Sequence, residues 1–436
     1  MLRRAHRPPY ALVPGYVQEG EERGGGDGGR VPVLGEPMTT RIEQQHGLDA
    51  ITPYTPGKPI EELQKEYAWQ EVIELSLNEN PLGTSPKALA AIEKALSRLN
   101  RYPDAQSYHL RRALAERFEV KPEQLIVGNG ADGIILQTCM AYLDEDSEVI
   151  VSHSSFPIYD MFTQAMRATL IKTPLKNYGL DMEAMAGTIN DRTKIIFVCN
   201  PNNPTGTIVT ADEVGVFMEQ VPDHVLVVFD EAYHELVASD KYPDTLKYIR
   251  QGQSNVMVLR TFSKVYGMAG IRLGYGIAMP ETLAPLNRVR EPFGVNRLAQ
   301  AAGVAALEDE EFLKKSVATN HEGRLFLYRE FERLGLPYVE SHTNFIMVEI
   351  GPQAATIQQR LLERGIIVRP CAGYDLPNHL RITIGSPSQN ARLIEALEDT
   401  LKSGVSSHVG KETRFFPKNL ASHQSIRQEI LEVKKR

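Results

Sequence analysis

Two segments of the sequence carry polar side chains directly after apolar runs of strand length. Asp230-Glu-Ala-Tyr233 follows the run Val225–Phe229 and so places a carboxylate and a phenol at the end of a buried strand. Arg260-Thr-Phe-Ser-Lys264 follows Val256–Leu259, and Arg272 comes shortly after it. Because a buried carboxylate is costly without a cationic partner, these side chains are expected to lie in one polar site. A lysine there can form a Schiff base, and an arginine can bind an anion.

A glycine-rich turn precedes a helical pattern elsewhere in the chain. Gly128-Asn-Gly-Ala-Asp-Gly133 follows Leu125–Val127 and leads into a pattern that extends to Leu143. The G-x-G-x-x-G spacing is typical of dinucleotide sites, but the acid expected about twenty residues later is absent, since that segment reads Ser152–Phe156. Glycines before a helix N-terminus can still hold a phosphate, because the first N–H groups of a helix are free. We therefore predict a phosphate turn, with a plain tight turn as the alternative.

A stiff turn follows the apolar run Ile195–Val198. Its sequence, Asn200-Pro-Asn-Asn-Pro-Thr-Gly206, contains two prolines that restrict the backbone, so it can present an amide in a fixed direction or serve as a plain turn. Together the segments supply a phosphate turn, a carboxylate, a phenol, an amide and a lysine. Pyridoxal 5'-phosphate (PLP) needs this set: a lysine, anion-binding groups, a carboxylate for its ring nitrogen and donors for its phenolic oxygen.

The elements that must position these groups are indicated by recurring apolar runs. Such runs, rich in β-branched residues, are Leu125–Val127, Val149–Val151, Ile195–Val198, Val225–Phe229, Val256–Leu259 and Tyr275–Ala278. They predict strands buried on both faces of a largely parallel sheet, whose carboxyl ends are where ligands bind. A helix is predicted to begin after Thr84 or Ser85, with Pro86 at its first position. Its apolar stripe is Leu89, Ile92, Leu96 and Leu99.

At this point the chain resembles the fold-type I PLP-dependent aminotransferases, and within them the histidinol-phosphate aminotransferase family. The resemblance runs from about Ile51 to Gly385 with its motifs in family order. The motifs are Tyr54-Thr-Pro-Gly-Lys-Pro59, Asn78-Glu-Asn-Pro81, Arg101-Tyr-Pro-Asp104, Gly128-Asn-Gly130, Asn202-Asn-Pro-Thr-Gly206, Asp230-Glu-Ala-Tyr233, Ser263-Lys264, Gly270-Ile-Arg-Leu-Gly274 and Leu380-Arg-Ile-Thr383.

The resemblance implies an α/β fold with a large domain, whose mostly parallel sheet is flanked by helices, and a smaller α+β domain. From the sequence we expect a disordered extension over residues 1–40, an N-terminal arm with part of the small domain over 41–80, and the large PLP-binding domain over 81–310. The C-terminal small domain is expected over 311–404 and a C-terminal extension over 405–436.

Carried onto this sequence, the resemblance implies that Lys264 is the catalytic lysine, which holds PLP as a Schiff base and later moves the substrate proton. Asp230 is implied to face the pyridine nitrogen, and Tyr233 and Asn203 to bind the phenolic oxygen. The other implied cofactor contacts are Phe156 on the ring and Ala131, Asp132, Thr261, Ser263 and Arg272 at the phosphate. Tyr102 and Tyr54 are implied to reach the neighbouring subunit's cofactor and substrate, which implies a homodimer with shared active sites.

Two arginines are the implied substrate contacts. Arg381 resembles the arginine that binds the α-carboxylate of the amino donor with a two-pronged match. Arg369 resembles the one that meets the distal anion, which is the phosphate of histidinol phosphate or the side-chain carboxylate of glutamate. One departure concerns the phosphate turn, where Ala131-Asp132-Gly133 replaces the Ser-Asp-Glu common in the family. The backbone donors of that turn remain.

Composition narrows the remaining classes of function. Lys plus Arg number 48 and Asp plus Glu number 55, so the net charge of −7 disfavours nucleic acid as a partner. The longest apolar runs are far shorter than the ~20 residues of a membrane span. The three cysteines lie far apart in sequence, which indicates a reducing compartment, and we expect the cytoplasm. No metal is expected, because His234-Glu235 and His321-Glu322 lack the second histidine of H-E-x-x-H.

The leading hypothesis is transamination between histidinol phosphate and 2-oxoglutarate, which yields imidazole-acetol phosphate and glutamate. One rival keeps the fold and changes the donor to an aromatic or other amino acid. Another is threonine-phosphate decarboxylase, which resembles this family and uses the same lysine. A PLP-binding transcription regulator is a remote alternative, because the forty residues that precede the aminotransferase-like part are too few to form a DNA-binding domain.

Overall fold

The computed structural model describes residues 48, 51, 60–67, 69 and 71–404. The predicted extensions over 1–40 and 405–436 lie outside these residues, and so does Tyr54. Among the described residues, no helix combines the length and the apolar character that a bilayer span requires.

The strands, numbered along the described chain, are β1 (Ile73–Leu75), β2 (Leu125–Gly128), β3 (Glu148–Ser152), β4 (Thr169–Thr173), β5 (Leu175–Lys176), β6 (Gly179–Leu180), β7 (Thr193–Cys199), β8 (Leu226–Asp230), β9 (Val256–Thr261), β10 (Gly274–Ala278), β11 (Phe345–Glu349), β12 (Ile366–Pro370) and β13 (His379–Thr383). The helices are α1 (Ile60–Tyr67), α2 (Pro86–Ala95), α3 (Tyr108–Phe118), α4 (Gly130–Tyr142), α5 (Ile158–Ala165), α6 (Met182–Gly187), α7 (Ala211–Met218), α8 (Leu246–Arg250), α9 (Pro280–Val289), α10 (Arg297–Leu307), α11 (Glu310–Leu334), α12 (Ala354–Glu363) and α13 (Pro387–Gly404).

A seven-stranded sheet forms the larger part of the fold, with the strand order β2-β10-β9-β8-β7-β3-β4. All six predicted strands lie in this sheet. The pairs from β9 through β4 are parallel, whereas β10 runs antiparallel to both of its neighbours. The prediction of a largely parallel sheet is therefore confirmed. Strand β4 was not predicted, because as an edge strand it buries only Thr173 fully and lacks a continuous apolar run.

The central strands are buried on both faces, which explains why their sequences are apolar at every position. In β8, Val227 and Phe229 pack into one buried cluster, while Leu226 and Val228 pack into another on the opposite face. Successive side chains of a strand point to opposite faces, so a strand covered on both sides must be apolar at every position. The first polar residue of this strand is Asp230, at its carboxyl end.

A second sheet has four strands in the order β1-β12-β13-β11. Strand β1 pairs in parallel with β12, whereas β13 is antiparallel to β12 and β11. Its apolar cluster includes Leu327 and Phe331 of α11, the third helix after the last strand of the larger sheet. Because β1 comes from before the larger sheet, the chain enters and leaves the second sheet at distant points in sequence.

Helix α2 begins as predicted, with Pro86 at its first position. The Ser85 side chain accepts a hydrogen bond from the Ala88 N–H and so caps the helix. The predicted apolar stripe is only partly buried, because Ile92 packs against the core whereas its three leucines are exposed. The exposed members are Leu89, Leu96 and Leu99.

Candidate active site

One cavity of about 560 Å³ opens at the carboxyl ends of β7, β8 and β9 and is also lined by residues of β12 and β13. It brings together twelve of the fourteen predicted site residues. These are Ala131, Asp132, Phe156, Asn203, Asp230, Tyr233, Thr261, Ser263, Lys264, Arg272, Arg369 and Arg381. The polar residues that follow the strands in sequence therefore meet in space.

The glycine-rich turn between β2 and α4 forms one wall. Gly130 has a φ of +76°, which favours glycine, and the Asn129 side chain does not cap the helix. The N–H groups of Ala131 and Asp132, in the first turn of α4, therefore receive no cap from that side chain. Strand β10 packs closely behind the turn, since a Cβ on Gly274 would lie 2.4 Å from the backbone nitrogen of Ala131.

Arg272 brings a positive charge to this turn. Its backbone is left-handed, with a φ of +58°. One guanidinium nitrogen lies 3.1 Å from Asp132 Oδ2, and the other donates to the Ala269 carbonyl at 3.1 Å and lies 3.4 Å from Ser263 Oγ. A guanidinium, a hydroxyl and a helix N-terminus together suit an anion.

The Thr261 hydroxyl is engaged in holding the neighbouring turn. It accepts a hydrogen bond from the Ser263 N–H at 3.1 Å and lies 3.3 Å from the Leu273 carbonyl, to which it donates. Thr261 lines the cavity, so its contact with a phosphate stays a prediction.

Asp230 lies at the end of β8 with only 3% of its surface exposed. Its Oδ2 accepts a hydrogen bond from the Tyr159 hydroxyl at 2.6 Å, and its Oδ1 accepts one from the Ala232 N–H at 3.2 Å. Burial raises the pKa of Asp230 to about 6, against the opposing effect of the Tyr159 hydrogen bond. The carboxylate is thus held ready for a cationic partner in the cavity.

Lys264 points its ammonium group towards the segment that follows β1. The Nζ atom lies 3.4 Å from the carbonyl oxygens of both Leu77 and Asn78, and 5.7 Å from the centre of the Tyr233 ring. Burial is the main cause that lowers the pKa of Lys264 to about 8, and the positive charge of Arg381 is the next. The amine therefore loses its proton at a lower pH than an ordinary lysine does.

Tyr233 and Asn203 each keep a donor without an acceptor among the described residues. Tyr233 Oη accepts a hydrogen bond from Asn78 Nδ2 at 3.0 Å, which leaves its own proton unused. Asn203 Oδ1 accepts a hydrogen bond from Arg381. Because a guanidinium only donates, the Asn203 oxygen must face Arg381, and its NH2 group remains available.

Arg381 is buried and fixed by several contacts. It donates to the Ser76 carbonyl at 2.6 Å and to the Tyr374 hydroxyl at 3.3 Å, and it lies over the Phe345 ring. Its Nε has no hydrogen-bond partner within the part of the chain that the structure describes. Arg369 is half-buried at the end of β12 and lines the same cavity. Besides Arg272, the cavity therefore presents two further guanidinium groups.

Tyr102, one of the two tyrosines predicted to serve the partner's site, is not among the residues that line this cavity. Tyr102 is 79% exposed, and its ring stacks on Phe293 with the centroids 4.7 Å apart. Tyr54 lies outside the described residues. The expectation that both serve the neighbouring subunit stays a prediction.

Sequence reasoning assigned no role to three residues that shape the site. Tyr159 binds Asp230 and contacts the Phe156 ring edge-on at 5.6 Å. Tyr374 lines the cavity from the single 3-10 turn Ala372–Tyr374 after β12, which is too short to show a helix period in the sequence. Asn78 opens the motif Asn78-Glu-Asn-Pro81, to which the family resemblance attaches no role. Its contact with Tyr233 spans 155 positions, so local sequence gave no signal for it.

Comparison with known proteins identifies the family. The family model for aminotransferase class I and II matches residues 70–397. Histidinol-phosphate aminotransferase of Moorella thermoacetica is 47% identical over 366 residues, which cover 84% of this chain and 95% of that protein. Histidinol-phosphate aminotransferase 2 of Pseudomonas fluorescens strain Pf-5 is 47% identical over 359 residues, 82% of this chain and 97% of that protein.

The fold is also similar to that of aminotransferases of known structure. The crystal structure of histidinol-phosphate aminotransferase from Sinorhizobium meliloti, in complex with pyridoxal-5'-phosphate, superimposes with a TM-score of 0.76 at 27% identity and covers 84% of this chain and 99% of its own. Thermus thermophilus aspartate aminotransferase with maleate shares the fold, with a TM-score of 0.72 over 82% of this chain and 99% of its own at 22% identity. The chain therefore has the fold-type I architecture and belongs to the class I and II aminotransferases, within them to the histidinol-phosphate aminotransferase family.

Proposed function

We propose that the protein is a PLP-dependent aminotransferase that exchanges an amino group between histidinol phosphate and 2-oxoglutarate, a step of histidine biosynthesis. The products are imidazole-acetol phosphate and glutamate. One observation carries the proposal: Lys264, with its lowered pKa, shares a cavity with the buried Asp230 and with both Arg369 and Arg381. The relatives named for histidinol-phosphate aminotransferase support the choice of substrate.

The residues of the cavity fit PLP group by group. The anion cradle of Arg272, Ser263 and the α4 N-terminus suits a phosphate. Asp230 suits a protonated ring nitrogen, and the unused donors of Tyr233 and Asn203 suit an ionised phenolic oxygen. Phe156 lines the cavity and offers an aromatic face. When bound, the group supplies an electron-withdrawing ring that stabilises negative charge at the substrate carbon.

The chain's own groups would then hold and move protons. Lys264 Nζ, neutral in part near its pKa of about 8, would act as the general base and acid at the substrate carbon. Asp230, held by the Tyr159 hydroxyl, would keep the ring nitrogen protonated. The carbonyl oxygens of Leu77 and Asn78, each 3.4 Å from Nζ, would orient the amine.

The two guanidinium groups would orient the substrates. Arg381, which lines the cavity, would bind the α-carboxylate of glutamate through its planar guanidinium group. Arg369 would bind the anion at the far end of the substrate, which is a phosphate in histidinol phosphate and a carboxylate in glutamate. One arginine for each end explains how a single cavity can accept two anionic substrates in turn.

We further propose a homodimer with shared active sites. The exposed Tyr102 and Phe293, whose rings stack, suit a surface that a second copy covers, and so do three exposed leucines, Leu89, Leu96 and Leu99. Tyr102 would reach the partner's cofactor phosphate and Tyr54 its substrate. The four-stranded sheet with α11–α13 would form the smaller domain, which closes over the substrate. Three buried, unbridged cysteines suit a reducing compartment, and we place the protein in the cytoplasm.

The test is a steady-state assay that measures glutamate formed from histidinol phosphate and 2-oxoglutarate by the PLP-loaded protein. Phenylalanine and phosphothreonine, each at the same concentration, serve as rival donors, and Lys264→Ala serves as the inactive control. We expect the highest kcat/KM with histidinol phosphate and no release of carbon dioxide. A higher value with phenylalanine would change the substrate, and carbon dioxide from phosphothreonine would change the reaction.

A further inference from the structure

Asn78 lines the cavity and connects three parts of the candidate site. The residue is 2% exposed, and its left-handed φ of +58° suits asparagine, aspartate or glycine. Its side chain contacts Tyr233 and Thr383, and its carbonyl oxygen accepts hydrogen bonds from Lys264 at 3.4 Å and from Asn344 at 2.8 Å.

The orientation of the Asn78 amide follows from Thr383. The Thr383 hydroxyl oxygen lies 3.0 Å from the Asn78 backbone N–H, from which it accepts a hydrogen bond. Its own proton goes to Asn78 Oδ1 at 3.2 Å. If the amide were flipped, the hydroxyl would face two donors and its proton would lose this acceptor. The Asn78 oxygen therefore faces Thr383, and its NH2 group faces Tyr233.

The amide orientation determines where the Tyr233 proton lies. The Asn78 NH2 group donates to Tyr233 Oη at 3.0 Å and can only be a donor there. The Tyr233 proton must point elsewhere, and among the residues that the structure describes it meets no acceptor. Since Tyr233 lines the cavity, the proton is available to a ligand.

We propose that Asn78 is a positioning residue that makes Tyr233 an obligate hydrogen-bond donor into the cavity, through the chain Thr383, Asn78, Tyr233. The inference rests on the proposed function, in which the acceptor is the phenolic oxygen of PLP. Without the amide, the Tyr233 hydroxyl could rotate and present a lone pair to that oxygen, which would repel it.

Two substitutions at this position distinguish the effect of the side-chain amide from that of the left-handed backbone. Asn78→Gly keeps the left-handed turn but removes the donor. Asn78→Asp keeps the turn and the shape but reverses the hydrogen bond, because an ionised carboxylate can only accept from Tyr233. The measurement is made at pH 8, about four units above the ordinary pKa of an aspartate, so that the new carboxyl is ionised.

The measurement is the dissociation constant of PLP at pH 8, followed by the absorption of the bound cofactor, together with the pKa of its visible transition. We expect the dissociation constant to rise about tenfold in Asn78→Gly and about a hundredfold in Asn78→Asp, the range of a neutral and a charged hydrogen bond. The visible pKa should rise in the same order, because loss of the donor destabilises the ionised phenolic oxygen. Thr383→Val, which frees the amide to flip, should raise the dissociation constant a few-fold.

The Tyr233→Phe background gives the decisive comparison. In that background the PLP dissociation constants of the Asn78→Asp and Asn78→Gly variants should differ by no more than about twofold, since no hydroxyl remains to be oriented. Equal constants for the two single variants, or a gap that persists without the Tyr233 hydroxyl, would overturn the inference. Melting curves by far-UV circular dichroism establish that each variant is folded. Failure of the wild type to bind PLP is a separate result, which would reject the proposed function itself.

Discussion

The Tyr159 hydroxyl donates a 2.6 Å hydrogen bond to Asp230 Oδ2, and both groups are buried. The Tyr159 ring stacks on Phe197 with centroids 4.5 Å apart and meets the edge of Phe156. One side chain therefore supports two predicted cofactor contacts, the carboxylate and the aromatic face. Because the aromatic packing fixes the hydroxyl, Tyr159 stabilises the ionised form of Asp230 in an environment that otherwise disfavours charge.

Removing this hydroxyl should shift the pH range in which the protein binds PLP. Tyr159→Phe removes a donor that lowers the pKa of Asp230, so the pKa of that carboxyl rises further above about 6. The carboxylate is then protonated at a higher pH, and we expect PLP affinity to be lost about one pH unit earlier on acidification. The check is the dissociation constant between pH 5 and 8. Tyr142→Phe, whose hydroxyl donates to the Thr282 carbonyl, is the matched control. Identical profiles for Tyr159→Phe and wild type would contradict the role of this hydrogen bond.

The ionised carboxylate of Asp230 should also lower the free energy of unfolding of the protein when no cofactor is bound. Its pKa in the folded protein, about 6, exceeds the value of about 3.9 for an unfolded chain, so the folded state holds more protons between these values. Stability therefore falls as the pH rises from about 4 to about 6. Asp230→Asn should stabilise the cofactor-free protein by about 1–3 kcal/mol at pH 8, with the gain vanishing near pH 4. Urea unfolding at both pH values measures this, and a destabilised variant at pH 8 would show that the charge is already compensated.

The close packing of β10 behind the phosphate turn predicts a sharp difference between two glycines of one motif. A Cβ at Gly274 would lie 2.4 Å from the backbone nitrogen of Ala131, whereas a Cβ at Gly270 would meet no atom within 4 Å. Gly274→Ala must push the turn away and should cost about 1–3 kcal/mol. We expect its PLP dissociation constant to rise more than tenfold and that of Gly270→Ala to stay within twofold. Similar constants for the two variants would mean that the turn does not bind the phosphate.

Arg369 is expected to contribute to substrate binding and not to cofactor binding. Arg369→Gln should raise KM for histidinol phosphate about a hundredfold, the range of a charge-assisted hydrogen bond, with kcat changed less than threefold. The PLP dissociation constant should stay unchanged. Arg364→Gln, on the exposed turn before β12, is the control. An unchanged KM in Arg369→Gln would assign the distal anion to another group.

Much of the larger sheet could be predicted because its strands are buried on both faces. Two of its strands can be recognised in the sequence as apolar runs, Val225–Phe229 and Val256–Leu259. The change from apolar to polar residues at the end of each run marks the end of the buried strand. Strand β4 lacked this signal, since its edge position leaves most of its side chains partly exposed. The pairing of β1 with β12 joins Ile73 to Ile366 and depends on tertiary packing that no local pattern encodes.

The same limit applies to the candidate site. Residues directly after strands were found, because the carboxyl ends of parallel strands meet at one edge. Tyr159 and Asn78 were assigned no role, because each acts on a distant residue through one hydrogen bond. The position of Arg381 could be carried over from the family resemblance, but its contacts with Ser76 and Tyr374 required the structure.

The most direct test of the central claim is the visible absorption spectrum of the purified, PLP-loaded protein, recorded before and after histidinol phosphate and again after 2-oxoglutarate. Lys264→Ala is recorded alongside. Histidinol phosphate should convert the cofactor band of the wild type to that of the aminated cofactor, and 2-oxoglutarate should restore it. A band that responds to phenylalanine but not to histidinol phosphate would contradict the substrate, and a wild type without any cofactor band would contradict the whole account.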